Sequence, residues 1–134
     1  MDFPFEKLEV WQEVLEYGDV IEAIAAALPD HEQANLSDQI RRASTGLALH
    51  IAGGTSVSDY AEHGLGLSRA QRSLVETVAC LHLIRRRGYL QDPRPLHEAY
   101  RTAKALRQNL AASQQSLDAS RRDGTSPYDP APMV

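Results

Sequence analysis

The chain has 134 residues with a net charge of −4 and a pI near 5.7, a size that suits one domain with its own hydrophobic core. Its single cysteine excludes an intrachain disulfide framework and a four-cysteine zinc site. The N-terminal residues lack the pattern of a signal peptide, and no apolar run is long enough to span a bilayer. We therefore expect a cytoplasmic protein without membrane contact. The acidic balance argues against a dedicated nucleic-acid binder.

The first segment with helical periodicity covers about residues 5–28. Pro29 ends it, because proline lacks the amide hydrogen and crowds the preceding turn. The apolar stripe predicted to face the core comprises Leu8, Trp11, Leu15, Gly18, Ile21 (or Val20), Ile24 and Leu28.

The second and third segments cover about residues 32–52 and 58–87. Glycine favours helix C-caps, so Gly53-Gly54 is predicted to end the second and Gly88 the third. Ser56 or Ser58 is the expected N-cap of the third segment, with Ser56 and Asp59 spaced as a capping box. The second stripe is Leu36, Ile40, Ala43, Leu47 and Ile51; the third is Tyr60, Gly64, Leu67, Gln71, Leu74, Val78, Leu81 and Ile84.

The fourth segment covers about residues 95–120, and the proline-rich remainder, 122–134, is predicted to be a disordered tail. Short connections between long helices place neighbours antiparallel. The sequence therefore predicts an all-α protein, an antiparallel up-down-up-down four-helix bundle over residues 1–121. The fourth stripe is Leu96, Ala99, Ala103, Leu106, Leu110, Ser113 and Leu117.

Charge is distributed unevenly among the helices. The first helix, counted from Glu6, has a net charge of −5, whereas the third helix and the fourth, counted from Gln91 to Arg121, each have +2. Three interpretations remain open: a solvated surface, head-to-tail assembly of copies through opposite charges, and a nucleic-acid site on the basic helices. The only tight basic cluster, Arg85, Arg86 and Arg87, also fits a helix C-terminus, where cations stabilise the helix dipole.

The sequence holds no arrangement typical of catalysis or of cofactor or metal binding. None of the five histidines, His31, His50, His63, His82 and His97, follows a glutamate by three residues or pairs with another histidine at i, i+4. Cys80 lies among apolar neighbours and is interpreted as a small buried hydrophobe. We therefore expect a protein that is not an enzyme, with no cofactor.

The second segment carries three polar residues beside its core stripe. Ile40 and Ala43 face the core, so Gln39, Arg41 and Arg42 flank it. Arginines in this position often pair with carboxylates within or between subunits, and phosphate contact is the alternative.

Four short strings carry a family resemblance over about residues 5–115. They are Leu8-Glu9-Val10-Trp11-Gln12, Gln39-Ile40-Arg41-Arg42-Ala43, Ile51-Ala52-x-Gly54 and Gly88-Tyr89-Leu90. In this order the chain resembles the bacterial family of proteins encoded in intervening sequences of 23S ribosomal RNA genes. It is similar also to the accessory protein of diversity-generating retroelements, a pentameric bundle that binds nucleic acid and reverse transcriptase. The chain departs from the family pattern at Gly53 and over Gly64 to Arg72.

The resemblance implies a cytosolic four-helix bundle that forms rings of five and has no catalytic activity. Two functional hypotheses follow: a self-assembling, homopentameric scaffold or interaction module, and alternatively a nucleic-acid-binding accessory protein. Under either hypothesis the candidate interface or phosphate contacts are Gln39, Arg41, Arg42, Arg85, Arg86 and Arg87. The partners expected are further copies of the chain, with nucleic acid or another protein as alternatives.

Overall fold

The computed structural model describes residues 2–56 and 59–124, and within them the predicted four-helix, all-α fold is confirmed. Each helix packs against its two neighbours around the bundle: α1 and α3 both contact α2 and α4, with consecutive helices antiparallel. No described helix is long and apolar enough to cross a membrane. The helices are α1 (Glu9–Ala26), α2 (Asp38–Thr55), α3 (Tyr60–Arg87) and α4 (Arg94–Asp123).

The predicted stripes of α2 and α4 face the core. All five members of the α2 stripe are buried, and so is every member of the α4 stripe except Ser113, which is half-buried. Both stripes advance by three or four residues, the spacing that keeps side chains on one helical face.

The buried face of α1 differs from the predicted stripe. Leu15 is 43% exposed, and Trp11 and Gly18 are half-buried. Tyr17 lies fully buried in the core because its hydroxyl pairs with Thr77 Oγ1 of α3 at 2.7 Å, which satisfies the polar group. The residues of α1 that face the core are Val10, Val14, Tyr17, Ile21, Ile24 and Ala25.

The buried face of α3 is broader than the predicted stripe. Leu67, Leu74, Leu81 and Ile84 are buried as expected, whereas Tyr60, Gly64, Gln71 and Val78 are half-buried. The buried face also includes small and polar side chains: Gly66, Ala70, Ser73, Thr77 and Cys80.

The prediction that Gly53-Gly54 ends the second helix is wrong, because α2 continues through both glycines to Thr55. A Cβ atom on Gly54 would lie 2.6 Å from the Gly66 Cα of α3, whereas one on Gly53 would meet nothing within 4 Å. Gly54 therefore permits a close crossing of two helices rather than a cap.

Other element ends also differ from the prediction. Asp59 is the N-cap of α3 and accepts a hydrogen bond from the Ala61 amide at 2.8 Å, so the proposed Ser56 cap is wrong, and Ser58 lies outside the described residues. Gly88 ends α3 with φ 67°, as predicted. The fourth helix continues to Asp123, so residues 122–123 are helical, and the rest of the predicted tail, 125–134, lies outside the described residues.

The second segment starts later as an α-helix than predicted. A 3-10 turn (Asp30–Glu32) and a π-helical turn (Gln33–Ser37) precede α2. Gln33 Nε2 donates to the carbonyl oxygens of Ala25 at 3.0 Å and Leu28 at 2.9 Å, and Ser37 Oγ donates to Ala25 at 2.8 Å. These bonds add side-chain donors to carbonyls in the last turn of α1 and just after it, where the helical hydrogen-bond pattern ends.

Candidate functional site

Glu32 is the centre of a polar cluster that ties the two connections at one end of the bundle together. Its carboxylate is buried and accepts hydrogen bonds from the Tyr89 hydroxyl, from Asn35 Nδ2 at 2.8 Å and from Arg87 Nη1 at 3.1 Å. The Tyr89 hydrogen bond, with those of Asn35 and Arg87, lowers the pKa of Glu32. The same hydrogen bond raises the pKa of Tyr89. Arg87 is therefore engaged within its own chain.

Arg41 is also engaged within the chain. It donates two hydrogen bonds to the Glu22 carboxylate of α1, from Nε at 2.9 Å and from Nη2 at 3.0 Å. Its Nη1 also donates to Gln33 Oε1 at 3.2 Å. The paired hydrogen bonds with Arg41 lower the pKa of Glu22. Because Gln33 also closes the end of α1, Arg41 stabilises the α1–α2 corner, next to the Glu32 cluster.

The remaining sequence-predicted residues do not converge on one site. Arg42 pairs with Asp38 one turn earlier at 3.1 Å, and Gln39 is exposed with no side-chain hydrogen bond to the described residues. Arg85 lines a groove between α3 and α4, and Arg86 is exposed. The six residues thus divide into three in ion pairs, Arg41, Arg42 and Arg87, and three without one in the described part of the chain.

A groove between α3 and α4, which we call the histidine groove, has a volume of about 210 Å³. His82 meets Tyr100 edge-to-face across it, with ring centroids 6.2 Å apart. The sequence interpretation named Arg85 as a candidate contact but did not group it with His82, His97 and Tyr100, although His82/Arg85 and His97/Tyr100 are each spaced i, i+3 and so share a helical face. The groove is lined by Leu81, His82, Arg85, Leu96, His97 and Tyr100.

A second feature missed from the sequence is a row of exposed leucines, which we call the leucine surface: Leu15 of α1, Leu49 of α2 and Leu65 of α3. They are 43%, 64% and 48% exposed. Leu15 and Leu49 line a groove of about 380 Å³ between α1 and α2, and Leu49 and Leu65 line one of about 270 Å³ between α2 and α3. Because Leu49 belongs to both grooves, the surface is continuous across three helices.

Burial shifts the pKa of two further titratable groups in the core. Burial raises the pKa of the Cys80 thiol and lowers the pKa of His63, and neither effect is the activation that a nucleophile or base requires. Within residues 2–56 and 59–124, no group of three or more His, Cys, Asp or Glu side chains is placed to hold a metal ion.

The fold defines an antiparallel four-helix-bundle protein with grooves and exposed leucines on its sides. The family model for 23S rRNA-intervening sequence protein matches residues 6–112, and the chain belongs to this family. No curated protein matches the chain. The match covers α1, α2 and α3 entirely and most of α4, including both the leucine surface and the histidine groove.

Proposed function

We propose that the protein is a non-enzymatic, self-assembling helical bundle, a homopentamer, that serves as a cytoplasmic scaffold or interaction module. The observation that carries the proposal is the leucine surface. Large side chains that stay exposed side by side on three helices are typical of a surface that a partner covers. A second copy is the occupant we propose, because α1 and α4 carry complementary charges.

The charges that support assembly lie on α1 and α4. Helix α1 carries five acidic and no basic residues, whereas α4 carries six basic and three acidic residues. The two helices are neighbours in the bundle but carry opposite net charge, so the acidic helix of one copy is complementary to the basic helix of the next. Contacts of this head-to-tail kind close into a ring when the rotation between copies permits.

Apolar contact and charge contribute differently to such an interface. Full burial of a leucine contributes about 1.5–3 kcal/mol relative to full exposure. The three leucines are about half exposed, so covering them contributes on the order of 3 kcal/mol. That is too little for a stable ring, so the contact must extend beyond them, while complementary charge sets the orientation.

Light scattering on a sizing column tests the proposal, at low and high salt. We expect about five times 14.8 kDa at both salts. Leu49→Glu should lower the mass, because it places a charge at the most exposed leucine. Leu83→Glu is the matched control, since Leu83 is 44% exposed on α3 but lines none of the grooves described above. A wild-type mass of 14.8 kDa at micromolar concentration contradicts self-assembly.

Nucleic-acid binding is the second candidate function, and Arg85 and Arg86 favour it. Neither forms an ion pair with a described residue, so both guanidinium groups remain accessible to phosphate. Binding through phosphate contacts weakens steeply as salt rises. Arg85→Glu with Arg86→Glu should then abolish retention of a labelled DNA or RNA oligonucleotide. Unchanged retention would exclude this pair of arginines as the site.

A further inference from the structure

We propose that the histidine groove of one copy binds the leucine surface of the next copy. This inference rests on the self-assembly proposed above and assigns the two sides of the contact. It makes the interface heterologous, with a different surface contributed by each copy.

The histidine groove has the shape and chemistry to receive an exposed leucine. Its floor consists of the buried side chains Leu81 and Leu96, and the 44% exposed Tyr100 stands at its side. A volume of about 210 Å³ corresponds to roughly seven waters, which is room for one inserted leucine side chain. An apolar floor with a ring of polar side chains is the usual organisation of an interface hot spot.

The charges around the two surfaces are complementary. Arg85 lies in the groove, and Arg101 and Lys104 follow Tyr100 on the exposed side of α4. On the leucine surface, Leu15 is flanked by Glu16 and Asp19, both exposed and without an ion pair to a described residue. Glu22, in the same groove between α1 and α2, is already held by Arg41, and Glu62 and Arg69, of opposite charge, line the groove between α2 and α3. Acidic groups beside the inserted leucine would thus meet basic groups beside the groove.

The two surfaces lie near opposite ends of the bundle. The leucine surface spans α1, α2 and α3 near the end of α2, and the histidine groove lies between α3 and α4 near the end of α3. Leu65 and His82 are 17 residues apart on α3, which is roughly 25 Å along the helix axis. A contact between the two surfaces therefore joins one end of a copy to the other end of the next, a head-to-tail arrangement.

A mixing experiment with two double variants tests the assignment. Leu15→Glu/Leu49→Glu disables the leucine surface, and Arg85→Glu/Tyr100→Glu disables the groove. Each alone should remain a monomer of 14.8 kDa, with self-association at least tenfold weaker than in the wild type. A 1:1 mixture should form a dimer of about twice that mass and nothing larger, because only one intact surface of each kind remains.

Val75→Glu/Leu83→Glu is the matched control, since it adds the same charge at exposed α3 positions outside all these grooves. It should assemble as the wild type does. Circular dichroism confirms that each variant is folded, and the single variant Arg85→Glu, which weakens assembly without adding bulk, replaces the groove double variant if that one unfolds.

The outcomes separate the two proposals. If the groove variants assemble at the wild-type mass, or if the mixture yields no dimer, the groove assignment is wrong while self-assembly stands. A wild-type protein that is monomeric overturns both proposals. A monomeric wild type whose groove retains an oligonucleotide, with retention lost in Arg85→Glu, identifies nucleic acid as the occupant and likewise overturns the assignment.

Discussion

Replacing Gly54 with alanine should destabilise the protein, because the new Cβ would lie 2.6 Å from the Gly66 Cα of the facing helix. The obstacle is backbone rather than a flexible side chain, so α2 and α3 must move apart by close to an ångström. Overpacking of a tight contact costs about 1–3 kcal/mol, and a backbone obstacle belongs at the upper end of that range.

Helix propensity acts in the opposite direction. Alanine in a helix interior is favoured over glycine by about 0.5–1 kcal/mol. The net effect expected for Gly54→Ala is therefore a loss of about 2 kcal/mol in the free energy of unfolding. Gly53→Ala is the matched control one residue away, where a Cβ meets nothing within 4 Å. That variant should gain about 0.5–1 kcal/mol.

Urea unfolding followed by circular dichroism measures both changes as shifts in the midpoint at unchanged slope. The two neighbouring substitutions should shift the midpoint in opposite directions. A Gly54→Ala variant as stable as the wild type would refute the close crossing as the reason for glycine at this position.

Two further predictions concern ionisation. Burial raises the pKa of Tyr17 to about 12. Its contribution to the free energy of unfolding should therefore be complete below pH 10 and be lost as the pH rises to 12. Urea unfolding across this pH range should show a smaller loss of stability for Tyr17→Phe than for the wild type. The pKa of Glu32 is lowered by Tyr89 and its other partners, so its contribution is present at neutral pH and is lost as the pH falls below its ordinary value of 4.5. Glu32→Gln should therefore lower the unfolding midpoint at pH 7 more than at pH 3; equal shifts at both pH values would contradict a role for the charge.

The local sequence pattern correctly predicted the buried faces of α2 and α4. The stripes of α2 and α4 were recoverable because leucine, isoleucine and alanine recur on a single face. The α1 prediction misplaced Leu15 because Leu8, Trp11 and Leu15 form a second apolar row beside the row of Val10, Val14 and Ile21. Spacing alone does not choose between two neighbouring rows.

The remaining errors come from partners distant in sequence. Tyr17 is buried because Thr77 lies opposite it, 60 residues later. Gly54 is required by Gly66, although a local rule interprets consecutive glycines as a cap. The histidine groove likewise depends on the packing of α3 against α4, which brings His82 to Tyr100. The two partners of each pairing lie on different segments, so the periodicity of one segment does not reveal them.

The ion pairs within the chain bear on which charges a partner meets. Arg41, Arg42 and Arg87 are each matched by a carboxylate, from Glu22, Asp38 and Glu32 respectively. A closely matched pair contributes little field at a distance, since its two charges largely cancel. Pairing therefore takes Glu22 out of the accessible acidic charge of α1, and it takes Arg87 and Arg94 out of the accessible basic charge of α3 and α4. The charge difference between α1 and α4 is smaller than the residue counts indicate, and the unpaired groups that remain are what would orient one copy against the next.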